Sequence, residues 1–371
     1  MRLRIGAGFF RPQSRVARDL AVLLARTLAA RGSLRVLDLM AGCGIRALRY
    51  GVEAGATAVW ANDADPDRLP LLEANLGALP AGVARRVSAL TAQRLLADCL
   101  LRQERFDLVD LDAFGCPTGL LPLALEAVAF GGVLFVASTD GRSTTGHDRP
   151  AAVRRLGASA RAHPASWEMA LRLQMGVVAR CAWALGRGVE PLLSLSEGRT
   201  FRTAVRLSRS PACTEEALLG MVAHCHGCGD QQVQTLLRLR RWEPCCCVAK
   251  GTPPLAVSGP LWIGPLQHPQ TLLAMAEQAE LAPAPVSRQA RRQLERLASD
   301  PGSPARCWPS AEIARRLGSG PPPLADLVAE LRSAGHRANA SGIMAAQLRS
   351  DAPWPLILGV AQRLASRTTA R

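Results

Sequence analysis

The chain has 371 residues, 48% of them apolar and only 4% aromatic, so it can bury a core built mostly on Leu, Val and Ala and is too long for one ordinary domain. Its formal charge of +15 suits a polyanionic partner, because each neutralised phosphate releases condensed counterions, and the composition excludes a largely disordered chain. No apolar run approaches the ~18 residues of a membrane span and no secretory leader precedes the first motif, so a cytoplasmic, membrane-free setting is expected.

Leu20, Leu23, Leu24, Thr27 and Leu28 recur at helical spacing and predict a first helix that Gly32-Ser33 ends. Residues 34–39 form a short buried-strand run, broken by Ala41-Gly42-Cys43-Gly44, after which a helix runs from Ile45 toward Gly55. A strand over 58–61 ends at Asn62-Asp63. Helix over 71–76, strand near 86–89 and strand over 106–111 follow, the last closing on Asp112-Ala113-Phe114-Gly115. Helix over 120–129 leads into a strand over 133–138. Trp167, Leu171, Met175, Val178 and Ala182 mark a long helix, and 191–195 with 201–207 read as an antiparallel pair at the sheet edge. Strand and helix thus alternate, which implies an α/β fold: a parallel sheet covered by helices on both faces. Beyond Ser210 the texture changes to clustered Cys and His, frequent Pro and Arg-rich helical stretches (288–296, 311–317). A domain boundary is therefore placed near Pro211, giving a first domain over 1–210 and a smaller α+β domain over 211–371. The Pro-rich stretches at 282–285 and 320–323 read as linkers or rigid turns.

Residues 36–47 have the order strand, glycine turn, helix. Gly42 and Gly44 let the backbone approach a ligand, and Ala47 fills the small slot where helix meets strand. Asp63 closes the next strand about 20 residues further on, where a carboxylate accepts hydrogen bonds from ribose hydroxyls. This pattern alone suits a dinucleotide or S-adenosylmethionine. Asp38 ahead of the turn and the acidic loop after the fourth strand favour the second.

That loop, Asp110 to Pro117, sits where the carboxyl ends of a parallel sheet open to ligands. An exocyclic amine whose lone pair is delocalised into a base attacks a sulfonium methyl poorly. A carboxylate that accepts its N–H orients it and offsets the positive charge that develops on nitrogen, and a neighbouring ring can stack on the base. Asp112 and Phe114 fit those roles; the bland alternative is a turn-capping Asp112 and a core Phe114.

With these residues in place the chain resembles the tRNA (guanine-26-N2)-dimethyltransferase family. The resemblance rests on Phe9-Phe10-Arg11-Pro12 with Ala17-Arg18-Asp19-Leu20, on Asp38 to Tyr50, on Asn62-Asp63 and on Asp110 to Pro117. It extends to Glu168 with Leu171-Arg172-Leu173, to Glu190-Pro191-Leu192-Leu193 and to Gly259 to Leu266. It implies a Rossmann-like class I methyltransferase sheet, with Arg18, Arg46 and Asp63 on S-adenosylmethionine, Ala92 beside its adenine and Asp112 on the guanine amine. It also implies tRNA as partner, with no obligate protein partner. Ala113 stands where the family has Pro, Thr91 where it has Asp, and Glu197 to Arg202 replace its Asp-His-Tyr segment. Two other readings stay open: N-methylation of another nucleic acid, and an RNA-binding homologue with weak catalysis or none.

Cys225-His226-Gly227-Cys228 is a C-x-x-C knuckle, and Cys245-Cys246-Cys247 supplies a second arm about 16 residues later, an ordinary separation for a structural zinc ribbon. Cys225, Cys228, Cys245 and Cys247 are the expected zinc ligands; Cys246 is the main rival, and His224 and His226 are weaker candidates. Cys43, Cys99, Cys116, Cys181, Cys213 and Cys307 read as packing residues.

Overall fold

A computed structural model describes residues 3–6, 10–245, 247 and 255–369; Phe9 and Cys246, both weighed above, lie outside the described residues. The first half runs α1 (Arg15–Ala29), β1 (Arg35–Asp38), α2 (Ile45–Val52), β2 (Ala58–Asn62), α3 (Leu69–Leu76), β3 (Ala84–Ser88), α4 (Ala92–Leu101), β4 (Phe106–Asp112), α5 (Leu121–Ala127) and β5 (Val128–Ser138). Then come α6 (Gly141–Thr144), α7 (Arg149–Leu156), α8 (Ser166–Ala184), β6 (Gly188–Glu197) and β7 (Thr200–Ser208). The remainder is β8 (Leu219–His224), β9 (Gln231–Thr235), β10 (Ala256–Trp262), α9 (Pro269–Glu280), α10 (Arg288–Ala298), β11 (Cys307–Pro309), α11 (Ser310–Leu317), α12 (Leu324–Ser333), β12 (Ala338–Ala340), β13 (Gln347–Ser350) and α13 (Trp354–Thr369).

Seven strands form one sheet in the order β3-β2-β1-β4-β5-β7-β6. The first five are parallel, while β7 runs antiparallel to both β5 and β6, so the edge pair read from sequence is present. Val36, Leu37, Leu108, Val109, Leu111 and Val133 to Val136 are all buried, as strands covered on both faces require. From β1 the chain proceeds outward to β2 and β3; from β4 it proceeds the other way, to β5. The loops leaving these two neighbours diverge, and a crevice opens at their carboxyl ends.

The chain forms two compact units, and it crosses between them five times. Met1–Asp140, Val178–Pro211 and His268–Glu295 make the first unit; Gly141–Val177, Ala212–Gln267 and Arg296–Arg371 make the second. A single cut near Pro211 matches one of these crossings and omits the others. The return of α9 has a clear cause. Its Leu272, Met275 and Ala279 are buried, and it packs on α1. The Pro-rich stretch behind it is tied to the same helix: Arg26 Nη2 donates to Leu281 O (3.1 Å), Arg15 Nη2 to Pro285 O (3.3 Å), and Ser287 N to Asp19 Oδ2 (3.0 Å).

The second unit holds two three-stranded sheets, β10-β8-β9 and β11-β13-β12. Its apolar cluster is built on Trp308, Ile313, Leu327, Leu331, Leu348, Trp354 and Ile357, with the rings of Trp308 and Trp354 stacked 5.2 Å apart. Beside it lies a fully buried charge network of Glu168, Arg172, Asp300 and Arg349. Of the six cysteines read as packing residues, Cys43, Cys99 and Cys307 are buried, whereas Cys213 is exposed. Among the described residues no helix is long and apolar enough to cross a membrane.

Candidate active site and metal centre

The crevice in the first unit is a cavity of about 390 Å³, within the range of small-molecule sites. Its wall includes Arg18, Gly42, Arg46, Asp63, Ala92, Asp112 and Phe114, seven residues singled out from sequence, together with Ala113, Thr139, Thr200 and Arg202. Asp38 and Gly44 are not part of the wall. Asp38 is fully buried behind the glycine turn, where its Oδ2 accepts from Ala47 N (3.0 Å) and so fixes the start of α2 on the end of β1. Gly44 is the left-handed residue that begins α2 (φ 75°), with Leu72 and Leu76 closing on the place a Cβ would take.

The loop that faces the cavity is stapled to its neighbour strand. Gly42, at φ 57°, donates its N–H to Asp63 Oδ2 (2.9 Å), and Ala41 N donates to Asn62 O (2.7 Å). Each Asp63 oxygen accepts one backbone N–H, from Gly42 or Asp65, and a carboxylate oxygen has lone pairs for a further donor. Thr91 caps α4 by accepting from Arg94 N (3.4 Å), a task an Asp also performs, and this cap presents Ala92 to the cavity.

Charge is concentrated where β1 and β4 end. Asp38 lies opposite Asp110 in the register, and Asp112 follows two residues on, on the same face. Arg46, reaching in from α2, binds Asp110 Oδ2 through Nη1 (3.0 Å) and Asp112 Oδ2 through Nη2 (3.0 Å). Tyr50, one turn further along α2, donates its hydroxyl to Asp110 Oδ2 (2.6 Å). A second guanidinium, Arg202 of β7, stands 3.1 Å from Asp112 Oδ2. Burial raises the proton affinity of Asp112, but Arg46 and Arg202 outweigh it and hold the carboxyl below its ordinary range. Asp38 goes the other way: burial and then the Asp110 carboxylate push it well above that range, and Arg46 and the Ala47 N–H offset only part of this.

Asp112 is therefore an ionised carboxylate, fastened at one oxygen and with 27% of its side chain exposed. The turn after it is clamped from β5, since Thr139 Oγ1 accepts from Gly115 N (2.6 Å) and Ser138 Oγ donates to Gly115 O (3.0 Å). Phe114, 75% exposed, stands beside the cavity rather than in the core. Arg18 is fastened to the chain ahead of α1, donating to Arg11 O (3.0 Å) and lying over the Phe10 ring. Burial first, then Arg46 and Arg49, lower its pKa to about 10, so it stays a cation at neutral pH. Sequence reasoning missed Arg202. The signal was weak, because β7 carries a second arginine, Arg206, and its sequence does not mark Arg202 as the buried one.

In the second unit the sulfurs of Cys225, Cys228, Cys245 and Cys247 all lie within 4.8 Å of one another, and His224 and His226 are not part of this group. Cys225 Sγ and Cys245 Sγ are 3.4 Å apart, near the roughly 3.8 Å edge of a tetrahedron drawn at a zinc–sulfur distance of ~2.3 Å. The knuckle is braced by the stacked tryptophans: Trp354 Nε1 donates to Cys228 O (2.7 Å) and Trp308 Nε1 to Gly229 O (2.9 Å). Four thiolates in a closed set suit a structural zinc.

Residues 5–362 match the family described as N2,N2-dimethylguanosine tRNA methyltransferase. The tRNA (guanine(26)-N(2))-dimethyltransferase of Methanocorpusculum labreanum is 30% identical over 351 residues, 94% of this chain and 88% of that protein. The Pyrococcus abyssi protein of the same name is 28% identical over 368 residues, 95% and 92% of the two chains. A solved complex of Trm1 from Pyrococcus horikoshii with S-adenosyl-L-methionine has the same fold, with a TM-score of 0.84, 24% identity and 96% of each chain covered.

Proposed function

The chain belongs to the N2,N2-dimethylguanosine tRNA methyltransferase family, and from that premise we propose that it transfers methyl groups from S-adenosylmethionine to the exocyclic N2 of a guanine in tRNA. We assign guanine 26 as the target, following the names of its relatives, with one or two methyls added. The observation that carries this reading is the ionised, partly open Asp112 carboxylate on the wall that also holds Gly42, Asp63 and Ala92.

Bound S-adenosylmethionine supplies an electrophilic methyl on a positively charged sulfur. The residues that fit it are Gly42, whose left-handed turn keeps the backbone close to the cavity, Asp63 for the ribose hydroxyls, Ala92 beside the adenine, and the cationic Arg18 for its carboxylate. Arg46 is committed to Asp110 and Asp112, so its part is to hold the acid rather than the cofactor. Asp112 accepts one N–H of the guanine amine and turns the nitrogen toward the methyl. As the N2–methyl bond forms the methyl–sulfur bond breaks, leaving a neutral thioether; the carboxylate stabilises the positive charge gained by nitrogen, and the surplus proton then passes from N2 to solvent. A carboxyl with such low proton affinity serves as acceptor and counter-charge more than as a base. Phe114 offers its exposed ring to the base. We assign a structural zinc to Cys225, Cys228, Cys245 and Cys247, with the second unit contributing to tRNA binding.

The test incubates the chain with unmodified tRNA and methyl-labelled cofactor and digests the product to nucleosides. Label in N2-methylated guanosine is the expected result. Label confined to ribosomal RNA or DNA controls, or tRNA bound without methylation, overturns the reading.

A further inference from the structure

Arg202 is a deeply buried guanidinium of the cavity wall, at 3% exposure. Its place follows from strand register. Asp112 of β4 pairs with Ala137 of β5, and Ala137 pairs with Arg202 of β7, so all three side chains share one row and one face of the sheet. Two strand spacings separate Asp112 from Arg202, about 9.6 Å between backbones. An arginine spans that gap only if the middle residue is small, and Ala137 is. The result is the 3.1 Å contact between Arg202 Nη1 and Asp112 Oδ2.

The two arginines on Asp112 are not equivalent. Arg46 is also fastened to Asp110, so its position is fixed with or without Asp112. Arg202 Nη1 meets Asp112 Oδ2 as an ion pair at 3.1 Å, and neither Nη1 nor Nε makes a hydrogen bond among the described residues. Burial, and then repulsion from Arg46, disfavour its charge, and Asp112 is the foremost group that sustains it. A cation retained at such a desolvation cost is poorly explained as packing.

We propose that Arg202 is a positioning residue for methyl transfer, pinning Asp112 across β5 so that the carboxylate keeps the rotamer and the negative charge with which it receives the guanine amine. This rests on the reading of Asp112 given above. In this role Arg202 acts through the acid.

The experiment is a double-mutant cycle on the full chain, with tRNA and labelled cofactor, joining Arg202→Gln to Asp112→Asn. Arg202→Gln is expected to lower kcat about 10- to 100-fold, the scale of a misplaced catalytic group, with KM for S-adenosylmethionine within about 3-fold of wild type. The acid limb of its rate profile moves to higher pH, because Asp112 has lost one of the cations that keep it ionised. Arg202→Lys restores the position of that limb and part of kcat. In the double variant the loss equals that of Asp112→Asn alone within about 3-fold, since nothing remains for Arg202 to position. Should Arg202→Gln fold poorly, Arg202→Met, which keeps the apolar stem and removes the charge, carries the same comparison in the Asp112→Asn background. A double variant whose loss is the product of the two single losses overturns this inference while the Asp112 reading stands. An Asp112→Asn enzyme of near-normal rate overturns the Asp112 reading itself, and this inference with it.

Discussion

Replacing Arg349 with Met tests the buried charges of the second unit. Arg349 is fully buried and binds Glu168 bidentately, Nη1 to Oε1 at 2.6 Å and Nη2 to Oε2 at 2.7 Å, while Nε and Nη2 hold Asp300 at 2.7 and 3.0 Å. Methionine keeps most of the stem but leaves two buried carboxylates facing one guanidinium, Arg172. Removing one partner of a buried pair costs about 3–5 kcal/mol. The ionisation of Glu168 sets the pH dependence. Burial raises its pKa, but Arg349 first and Arg172 second bring it from 4.5 down to about 2. Because the folded pKa lies below the unfolded one, that stabilisation is complete above pH 4.5 and is lost as pH falls toward 2. Denaturant unfolding followed by the fluorescence of the tryptophans in this unit should therefore show Arg349→Met less stable than wild type by about 3–5 kcal/mol at pH 7. The gap should narrow as pH falls from 4.5 toward 2. A variant as stable as wild type at pH 7, or a gap independent of pH, refutes the reasoning.

Further outcomes follow from the two sites. Cys225→Ser, or treatment with a strong chelator, should release zinc and lower the thermal midpoint of the second unit; native protein found free of zinc by elemental analysis removes the metal assignment. Gly44→Ala should cost about 1–2 kcal/mol of stability and weaken cofactor binding roughly tenfold, because Gly44 sits at φ 75° and a Cβ there meets Leu72 and Leu76 at 3.0 and 3.1 Å. Unchanged stability and calorimetric Kd would speak against that strain. Affinity for tRNA should fall steeply with salt, as a chain of charge +15 that neutralises phosphates requires, and a flat salt dependence rules out a phosphate-tracking surface.

The parts of this molecule that were legible in its sequence are those encoded locally. The strand–turn–helix at 35–52 is announced by an apolar run and two glycines, and β6 and β7 by two neighbouring apolar runs that can pair only antiparallel across so short a turn. Asp112, Phe114, Gly42, Asp63 and Ala92 meet around one cavity because each sits at or just past the end of a strand or in its loop, which the fold gathers at one edge. The remainder depends on contacts that periodicity does not report. The helix α9 was not read from the sequence, and nothing in its residues says that α1 receives it, so the interleaving of the two units was invisible. Glu168 and Arg172 are one turn apart on α8, but Asp300 and Arg349 come much later in the chain, and only the convergence of all four makes them a core. Arg202 was hidden for the same reason, since its meaning lies two strands away, at Asp112.

The role of the Asp112 carboxylate is settled by nucleoside mass spectrometry of tRNA treated with wild type and with Asp112→Asn, alongside tRNA and cofactor binding for both proteins. N2-methylguanosine formation should fall about 10²- to 10³-fold, the loss typical of one electrostatic contact made in the transition state, while both affinities hold within a few-fold of wild type. Product formed at close to the wild-type rate would contradict the proposed chemistry.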